Sequence, residues 1–443
     1  MLRSEEKANI ATNFGALTAF YNCNTVILLY NFIIRLYTIG IHVAAWKYGK
    51  AKHWVKGRRN WEIRYAQAWH QKNPQKSPCI WMHCASLGEF EQGRPLIESL
   101  RQKYPEKKIV LSFFSPSGYE IRKNYKNADY VCYLPADTKL NALKFIELFQ
   151  PMLSIFVKYE FWYHYLSTLQ KKQIPTILIS ANFRPEQVFF NWYGVFFRKL
   201  LPGFSHIFLQ NKNAATLLQA FALQNFSLAG DTRVDRVIQI AHEAPNFSIV
   251  AAFAAHHKIL IAGSTWQPDE LLLAPFVNKH LPPNWKLIIA PHHISKSRLD
   301  HIETVLELPL LRYSEASEQS ATAARILLID NIGMLSALYR YGHLAYIGGG
   351  FGAGIHNTLE PLAFGLPVIF GPKYTKFEEA VQLIQQQGAF SVTNTEAFFR
   401  YFTKLENVEF YQNAAQVAKN YILTNQGATE KIMQFIEKQY FER

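Results

Sequence analysis

HLAYIGGGFGAGIHNTLEPLAFGLPVIFGPKYTKF, residues 343–377, decides how the rest of the chain is read. It predicts a strand over 343–347, a glycine loop over 348–354, a helix over about 356–364, a second strand over 367–370 and a proline-bearing loop at 371–372, which is one βαβ unit. Gly348, Gly349, Gly350, Gly352 and Gly354 strip Cβ atoms from the turn. Backbone N–H groups there can approach a ligand and point at it from a helix start, which predicts an anion site. The spacing is neither the dinucleotide fingerprint nor a Walker A loop, since no Lys-Ser/Thr follows. His356 and Glu360 stand four apart with Asn357 beside them, so the two share a helical face near the positive end of the macrodipole. A carboxylate one turn inside a phosphate-binding helix suits a ribose hydroxyl pair. The plainer alternative is a glycine-rich turn with a polar first helical turn and no ligand.

At 443 residues the chain exceeds a single hydrophobic core, which predicts two domains with additions. With 49% hydrophobic and 18% charged residues it is globular, and a net charge of +14 favours an anionic partner: nucleic acid, anionic lipid or a sugar nucleotide. Cys23, Cys79, Cys84 and Cys132 make no CxxC pair and no zinc spacing. They read as reduced and buried in a cytosolic compartment.

Residues 24–46 form an apolar run of about bilayer-spanning length, interrupted by Arg35 and His42. A basic stretch follows, with Lys47, Lys50, Lys52, Lys56, Arg58 and Arg59 interleaved by Trp54 and Trp61. The positive-inside rule makes that stretch cytoplasmic, and no small-residue cleavage site marks a removable signal peptide. A spanning helix and an interfacial helix backed by headgroup contacts both fit; a buried core helix is the plain alternative. Basic residues among aromatics also suit nucleic acid, but no DNA or RNA motif accompanies them, so no nucleic-acid partner is expected.

Short apolar strands alternate with helices from residue 78 onward, the pattern of parallel sheets covered on both faces. Strands are predicted at 79–84, 109–114, 130–133, 153–157, 176–180, 206–209 and 226–229, and again at 259–262, 286–290, 325–329, 343–347 and 367–370. Two doubly wound Rossmann-like domains follow, facing a cleft, with a mostly helical tail after residue 394. Ligands of such sheets bind beyond the carboxyl ends of the strands, which singles out the loops there.

In the loop at 85–89, Ser86, Gly88 and Glu89 place a carboxylate after a glycine turn at a helix start, where it can take a proton from an attacking hydroxyl. Glu89 would also sit there simply for the macrodipole. Arg184 can bind an acidic group bidentately, with Glu160 and Asn182 as neighbours that orient it or cap helices. In the second half, Ser264 and Thr265 open a helix by capping or by binding, and Pro291, His292 and His293 follow a strand where an imidazole can meet a phosphate. Arg233 reaches a phosphate or bridges domains. No metal site is expected, because the histidines lack partners at ligand spacing.

Taken in order, IWMHCASLGE (80–89), FFSPSG (113–118), YLPAD (133–137), KYEFW (158–162), SANFR (180–184), GDTRVD (230–235), GSTW (263–266), APHH (290–293), IDNIGML (329–335) and IGGGFGAGIHNTLEP (347–361) resemble the Kdo transferases, the 3-deoxy-D-manno-octulosonic-acid transferases of lipopolysaccharide synthesis. The resemblance runs from the amino-terminal apolar helix through residue 380. It implies a two-domain GT-B glycosyltransferase at the cytoplasmic face of the inner membrane, moving Kdo from CMP-Kdo to a lipid A precursor such as lipid IVA, with inversion and without a metal or other cofactor. It implies Glu89 as catalytic base and His356, Asn357 and Glu360 as donor-site residues. The strand-end loops add Gly348, Gly349, Gly350, Pro291, His292, Ser264, Thr265 and Arg233 as candidates around the donor and Ser86, Gly88, Glu160, Asn182 and Arg184 around the acceptor.

The implied domains are a membrane-associated segment (1–60), an acceptor domain (61–230), a CMP-Kdo domain (231–425) and a terminal helix (426–443). Three positions depart from the commoner family pattern: Gly350 replaces serine, Ile355 replaces a second glycine, and His292 stands where arginine follows the proline. Two other readings fit the same residues. One is a membrane-associated GT-B transferase with a different nucleotide sugar; the other is an inactive sugar-nucleotide or lipid-binding protein of this fold.

Overall fold

The computed structural model describes residues 23–191 and 194–442. It divides into two compact units, one holding the described residues up to Arg233 and those from Gly427, the other Val234–Gln426. Each is built on a seven-stranded sheet in which every pairing is parallel.

The first unit's strands are β1 (Cys79–Cys84), β2 (Lys108–Phe113), β3 (Tyr130–Tyr133), β4 (Pro151–Val157), β5 (Thr176–Ala181), β6 (His206–Leu209) and β7 (Phe226–Leu228), in spatial order 3-2-1-4-5-6-7. The run CIWMHC has no exposed position, as a central strand covered on both faces requires. Trp81 joins Phe145, Phe156 and Tyr165 on one face. Ile80, Met82 and Cys84 pack on the other with Phe90, Leu96, Ile97 and Leu100, the inward stripe of the helix Leu87–Lys103. The three cysteines whose side chains are described, Cys79, Cys84 and Cys132, are free and buried, and burial pushes their thiols up. The Cys23 side chain lies outside the described residues.

The second unit's strands are β8 (Lys258–Thr265), β9 (Trp285–Pro291), β10 (Leu310–Arg312), β11 (Ile326–Leu328), β12 (Leu344–Ile347), β13 (Val368–Phe370) and β14 (Ala389–Ser391), in order 10-11-9-8-12-13-14. In both sheets the order reverses beside the first strand, between β1 and β4 and between β8 and β12. The crevices at these two switch points are where a doubly wound sheet accepts ligands.

Ahead of β1 come α1 (Cys23–Ala44), α2 (Gly49–Arg58) and α3 (Trp61–Lys72). Part of the expected basic and aromatic surface here is corrected. Arg58, Trp54 and Trp61 are buried, and Arg58 donates to the carbonyls of Leu134 (2.7 Å), Phe114 (2.7 Å) and Trp54 (3.2 Å) while lying over the Trp54 ring. Burial lowers its guanidinium to about 10, still charged at neutral pH. Arg58 thus ties α2 to the loops after β2 and β3, and it is absent from any headgroup-facing surface.

Candidate functional site

At the first switch point β1 ends at Cys84, and Ala85 and Ser86 turn the chain into Leu87–Lys103 with Ser86 in extended conformation at its amino end. Glu89 lies in the first turn and folds back so that Oε2 accepts from the Ala85 amide. Burial, and then the neighbouring Glu160 charge, push its carboxyl up to about 8, against opposing help from backbone N–H groups and Lys158. Gly88 is exposed, and a Cβ there would meet only Ser86 Oγ at 4.0 Å, so open space flanks the carboxylate.

The loop after β4 supplies the rest. Glu160 is buried, accepting from Trp162 Nε1 (2.6 Å) and lying 3.2 Å from His83 Nε2. His83 comes from the middle of β1 and reaches Ser112 on β2 through Nδ1 at 2.9 Å. Lys158, held at φ +67°, has its ammonium lowered by burial and then by Arg233, while Glu89 and Asp231 oppose. Arg233 forms an ion pair with Asp231 (2.6 Å). Asn182 orders the next loop, its carbonyl accepting from Tyr159 Oη and its Oδ1 from Asn211 (3.1 Å); Arg184 is exposed. Three carboxylates and two cations therefore gather at one strand-end crevice, an arrangement that can abstract a proton beside an anionic substrate. The structure corrects one placement: Arg233, expected with the donor-binding residues, belongs to the first unit and bears on Lys158.

The second switch point differs from expectation in several ways. Ser264 and Thr265 do not open a helix; they end β8, with Ser264 at φ +54°, and Thr265 Oγ1 donates to Glu270 (2.9 Å), which also pairs with Arg298. The helix is Gln267–His280, capped at Trp266. The helix after the glycine loop is likewise shorter than expected, Leu359–Ala363 alone, so His356 precedes it and shares no helical face with Glu360. Asn357 instead bridges the two segments, accepting from the Leu359 amide (3.1 Å) and donating to Glu360 (3.0 Å).

The loop's amides are also largely committed. Gly348 donates to Gly263, and Gly352 and Gly354 donate to Gly349, while the Gly349 amide donates to Asp269 Oδ2 at 2.9 Å. An anion held by the Gly348 and Gly349 amides, as the glycine run predicts, is therefore not what this loop offers. The glycines serve close approach instead: a Cβ on Gly348 would lie 2.3 Å from Ser264 O, one on Gly350 would lie 2.6 Å from Gly371 Cα, and Gly349 holds φ +92°. Asp269, unremarked in the sequence, is buried and gathers the Gly349 amide, the Trp266 amide (2.9 Å) and Tyr346 Oη (2.8 Å).

Over this braced loop stands a stack. Trp266 and His292 are parallel at 4.7 Å, and His292 and His356 at 4.4 Å. His293 meets the Trp266 ring edge-on at 4.9 Å, and Pro291 ends β9 just before the pair. Trp266 Nε1 donates to His356 Nε2 at 2.9 Å, and because indole is donor-only, His356 is neutral with its proton on Nδ1. Burial, then the His292 charge, lower His356 to about 4; burial lowers His292 too. The second site thus offers flat, uncharged rings and one oriented N–H donor. Among the described residues no three His, Cys, Asp or Glu side chains group as metal ligands would.

Sequence reading missed His83, Trp162, Asp269 and Trp266 as site-shaping residues. Trp266 had a signal in its position directly after β8. Asp269 had none, since its main partner lies 80 residues away.

Two parallel doubly wound units, each with a polar crevice at its switch point, are the architecture of the GT-B fold. A solved UDP-GlcNAc 2-epimerase from Neisseria meningitidis shares this fold at 16% identity and a TM-score of 0.59, over 81% of this chain and all of that one. The family described as 3-deoxy-D-manno-octulosonic-acid transferase (kdotransferase) matches residues 59–236. The chain is 27% identical to the 3-deoxy-D-manno-octulosonic acid transferase of Haemophilus influenzae, over 82% of this chain and 87% of that one. It is 28% identical to the transferase of the same name from Aquifex aeolicus, over 74% and 86%. The chain is thus similar to the Kdo transferases, which are glycosyltransferases, through residues 59–236 by the family's model and over most of its length by these relatives.

Proposed function

We propose that this chain transfers Kdo from CMP-Kdo to a hydroxyl of a lipid A precursor, lipid IVA in the simplest case, at the cytoplasmic face of the inner membrane. The observation that carries the reading is Glu89, a carboxyl raised to about 8 by burial and by Glu160 at the first switch point. Proton transfer is most effective when the base titrates near the working pH. In the step, the acceptor oxygen bonds to the anomeric carbon of Kdo and Glu89 takes the hydroxyl proton. The bond from that carbon to the CMP phosphate oxygen breaks, and CMP leaves with the electron pair. Attack opposite the leaving group inverts the centre.

Lys158, Arg184 and Arg233 suit the phosphates of a lipid A precursor, and the open space beside Gly88 suits the incoming sugar. In the second unit, neutral His356 offers Nδ1–H to the CMP phosphate, the Trp266 and His292 rings offer faces to flat groups, and Glu360, braced by Asn357, suits the ribose. The committed amides at Gly348 and Gly349 move the proposed phosphate grip from the backbone to this imidazole. Gly350, Ser264 and Thr265 act by shaping the loop. α1 is long and apolar enough to cross a membrane and is only 6% buried, which supports attachment to one.

Incubating the protein with CMP-Kdo and lipid IVA, in buffer containing a chelator, and weighing the lipid by mass spectrometry tests the reading. A mass gain of one or more Kdo residues with matching CMP release is expected. CMP binding without transfer would favour an inactive binder, and no CMP binding would favour another donor.

A further inference from the structure

α1 carries two stripes that run its full length. Ile27, Tyr30, Asn31, Ile34, Thr38 and Ile41, at helical three-and-four spacing, are at least partly covered by the first unit. Polar bonds pin this stripe: Tyr30 Oη donates to Asp137 (2.5 Å), and Asn31 Oδ1 lies 2.6 Å from His164 Nε2. About two turns further on, Tyr37 stacks on Phe114, and near the carboxyl end His42 packs edge-on against Trp54. The opposite stripe is apolar and exposed: Leu28 (68%), Phe32 (57%), Leu36 (50%), Ile39 (59%), Val43 (62%) and, just past the helix, Trp46 (93%).

A helix of 22 residues is about 33 Å long, close to the thickness of the hydrocarbon core. If it crossed the bilayer, the covered stripe would carry the first unit's surface into the hydrocarbon along that whole length. That surface includes exposed Lys139 and Lys171, near enough to His164 to disfavour its protonation, at the level of Asn31. Lysines there are costly in hydrocarbon. Laid flat, the same helix satisfies both stripes. The segment after it presents exposed Lys47, Lys50, Lys52, Lys56 and Arg59, matched in charge to an anionic leaflet.

We propose that α1 is an in-plane interfacial helix: its exposed apolar stripe lies among the acyl chains of one anionic leaflet, its covered stripe stays on the first unit, and neither end crosses the membrane. This deepens the membrane placement proposed above and rests on it in taking a bilayer as partner. The test uses the full chain with Cys23→Ser and single spin-labelled cysteines from Leu28→Cys, Phe32→Cys, Leu36→Cys or Ile39→Cys, the buried native thiols staying unlabelled. Depth is measured by power saturation on vesicles of phosphatidylethanolamine and phosphatidylglycerol.

The four labels are expected at one shallow depth, with binding about tenfold or more weaker to phosphatidylcholine alone. A depth change of about 12 Å between positions 28 and 36, the rise of eight residues along a spanning helix, would overturn the proposal. So would absence of vesicle binding, or labels shielded without lipid by self-association of the chain. No donor or acceptor is present in this measurement, so failure of Kdo transfer would leave its outcome standing.

Discussion

The two switch points occupy equivalent places in their sheets yet differ in electrostatic character. The crevice after β1 and β4 is charged: Glu89 and Glu160 repel, Lys158 and Arg233 repel, and these neighbours help raise the Glu89 carboxyl and lower the Lys158 ammonium. The crevice after β8 and β12 is faced by the Trp266, His292 and His356 rings, and its buried carboxylates are matched, Asp269 by two amides and a phenol and Glu270 by Thr265 and Arg298. A base must sit poised between protonation states, whereas a nucleotide grip works best when its donors do not change with pH. Under the proposed function, the contrast suits proton transfer in the first unit and donor recognition in the second.

The strongest way to break that assignment is Glu89→Gln. Transfer should fall by about a thousandfold, in the range for removing a general base, while CMP affinity measured calorimetrically stays unchanged. Equal loss of both would place Glu89 in the donor grip. Next, Asp269→Asn should leave one of three buried donors unmatched, costing about 1–3 kcal/mol in the second unit and weakening CMP binding without moving the pH profile of kcat. Differential scanning calorimetry and titration with CMP read both effects.

Glu160→Gln sharpens the first half. The wild-type kcat/KM should rise with pH as Glu89 deprotonates, with an acid limb near 8 in the free enzyme. Removing the like charge should move that limb to lower pH by about one unit, raising activity at pH 6–7 relative to the plateau. An unmoved limb would show that Glu160 does not tune the base. The smallest effect belongs to Trp266→Phe. Losing the indole N–H releases the His356 ring from its fixed tautomer, so CMP affinity should drop about threefold to tenfold at pH 7.5. Burial and His292, which hold His356 down to about 4, remain, so the variant and the wild type should both show no His356 step until about pH 4.

The alternation of apolar runs made both sheets legible, because strands buried on two faces read as unbroken hydrophobic stretches. β10 and β14, both three-residue edge strands, lay outside the predicted set. At the sites, residues that announce chemistry by position, such as Glu89 after a glycine turn, were visible. His83 was not, because a histidine inside CIWMHC reads as a core position until Glu160, 77 residues later, arrives beside it. The glycine loop misled for a related reason. A run of glycines signals that backbone comes close to something, and here that something is the chain's own backbone at Ser264 and Gly371.

The last sixteen described residues belong with the first unit, where Ile432, Met433 and Ile436 enter the core beside Met82 and Phe90. The second unit is thus inserted, as one continuous piece, into the chain of the first. During synthesis the inserted unit has all its residues in hand soon after position 426 leaves the ribosome, whereas the unit begun earlier still lacks part of its core. The unit that starts first is therefore completed last, and a truncation of the final helix should expose the apolar surface of the first unit to aggregation and proteases while leaving the second unit folded.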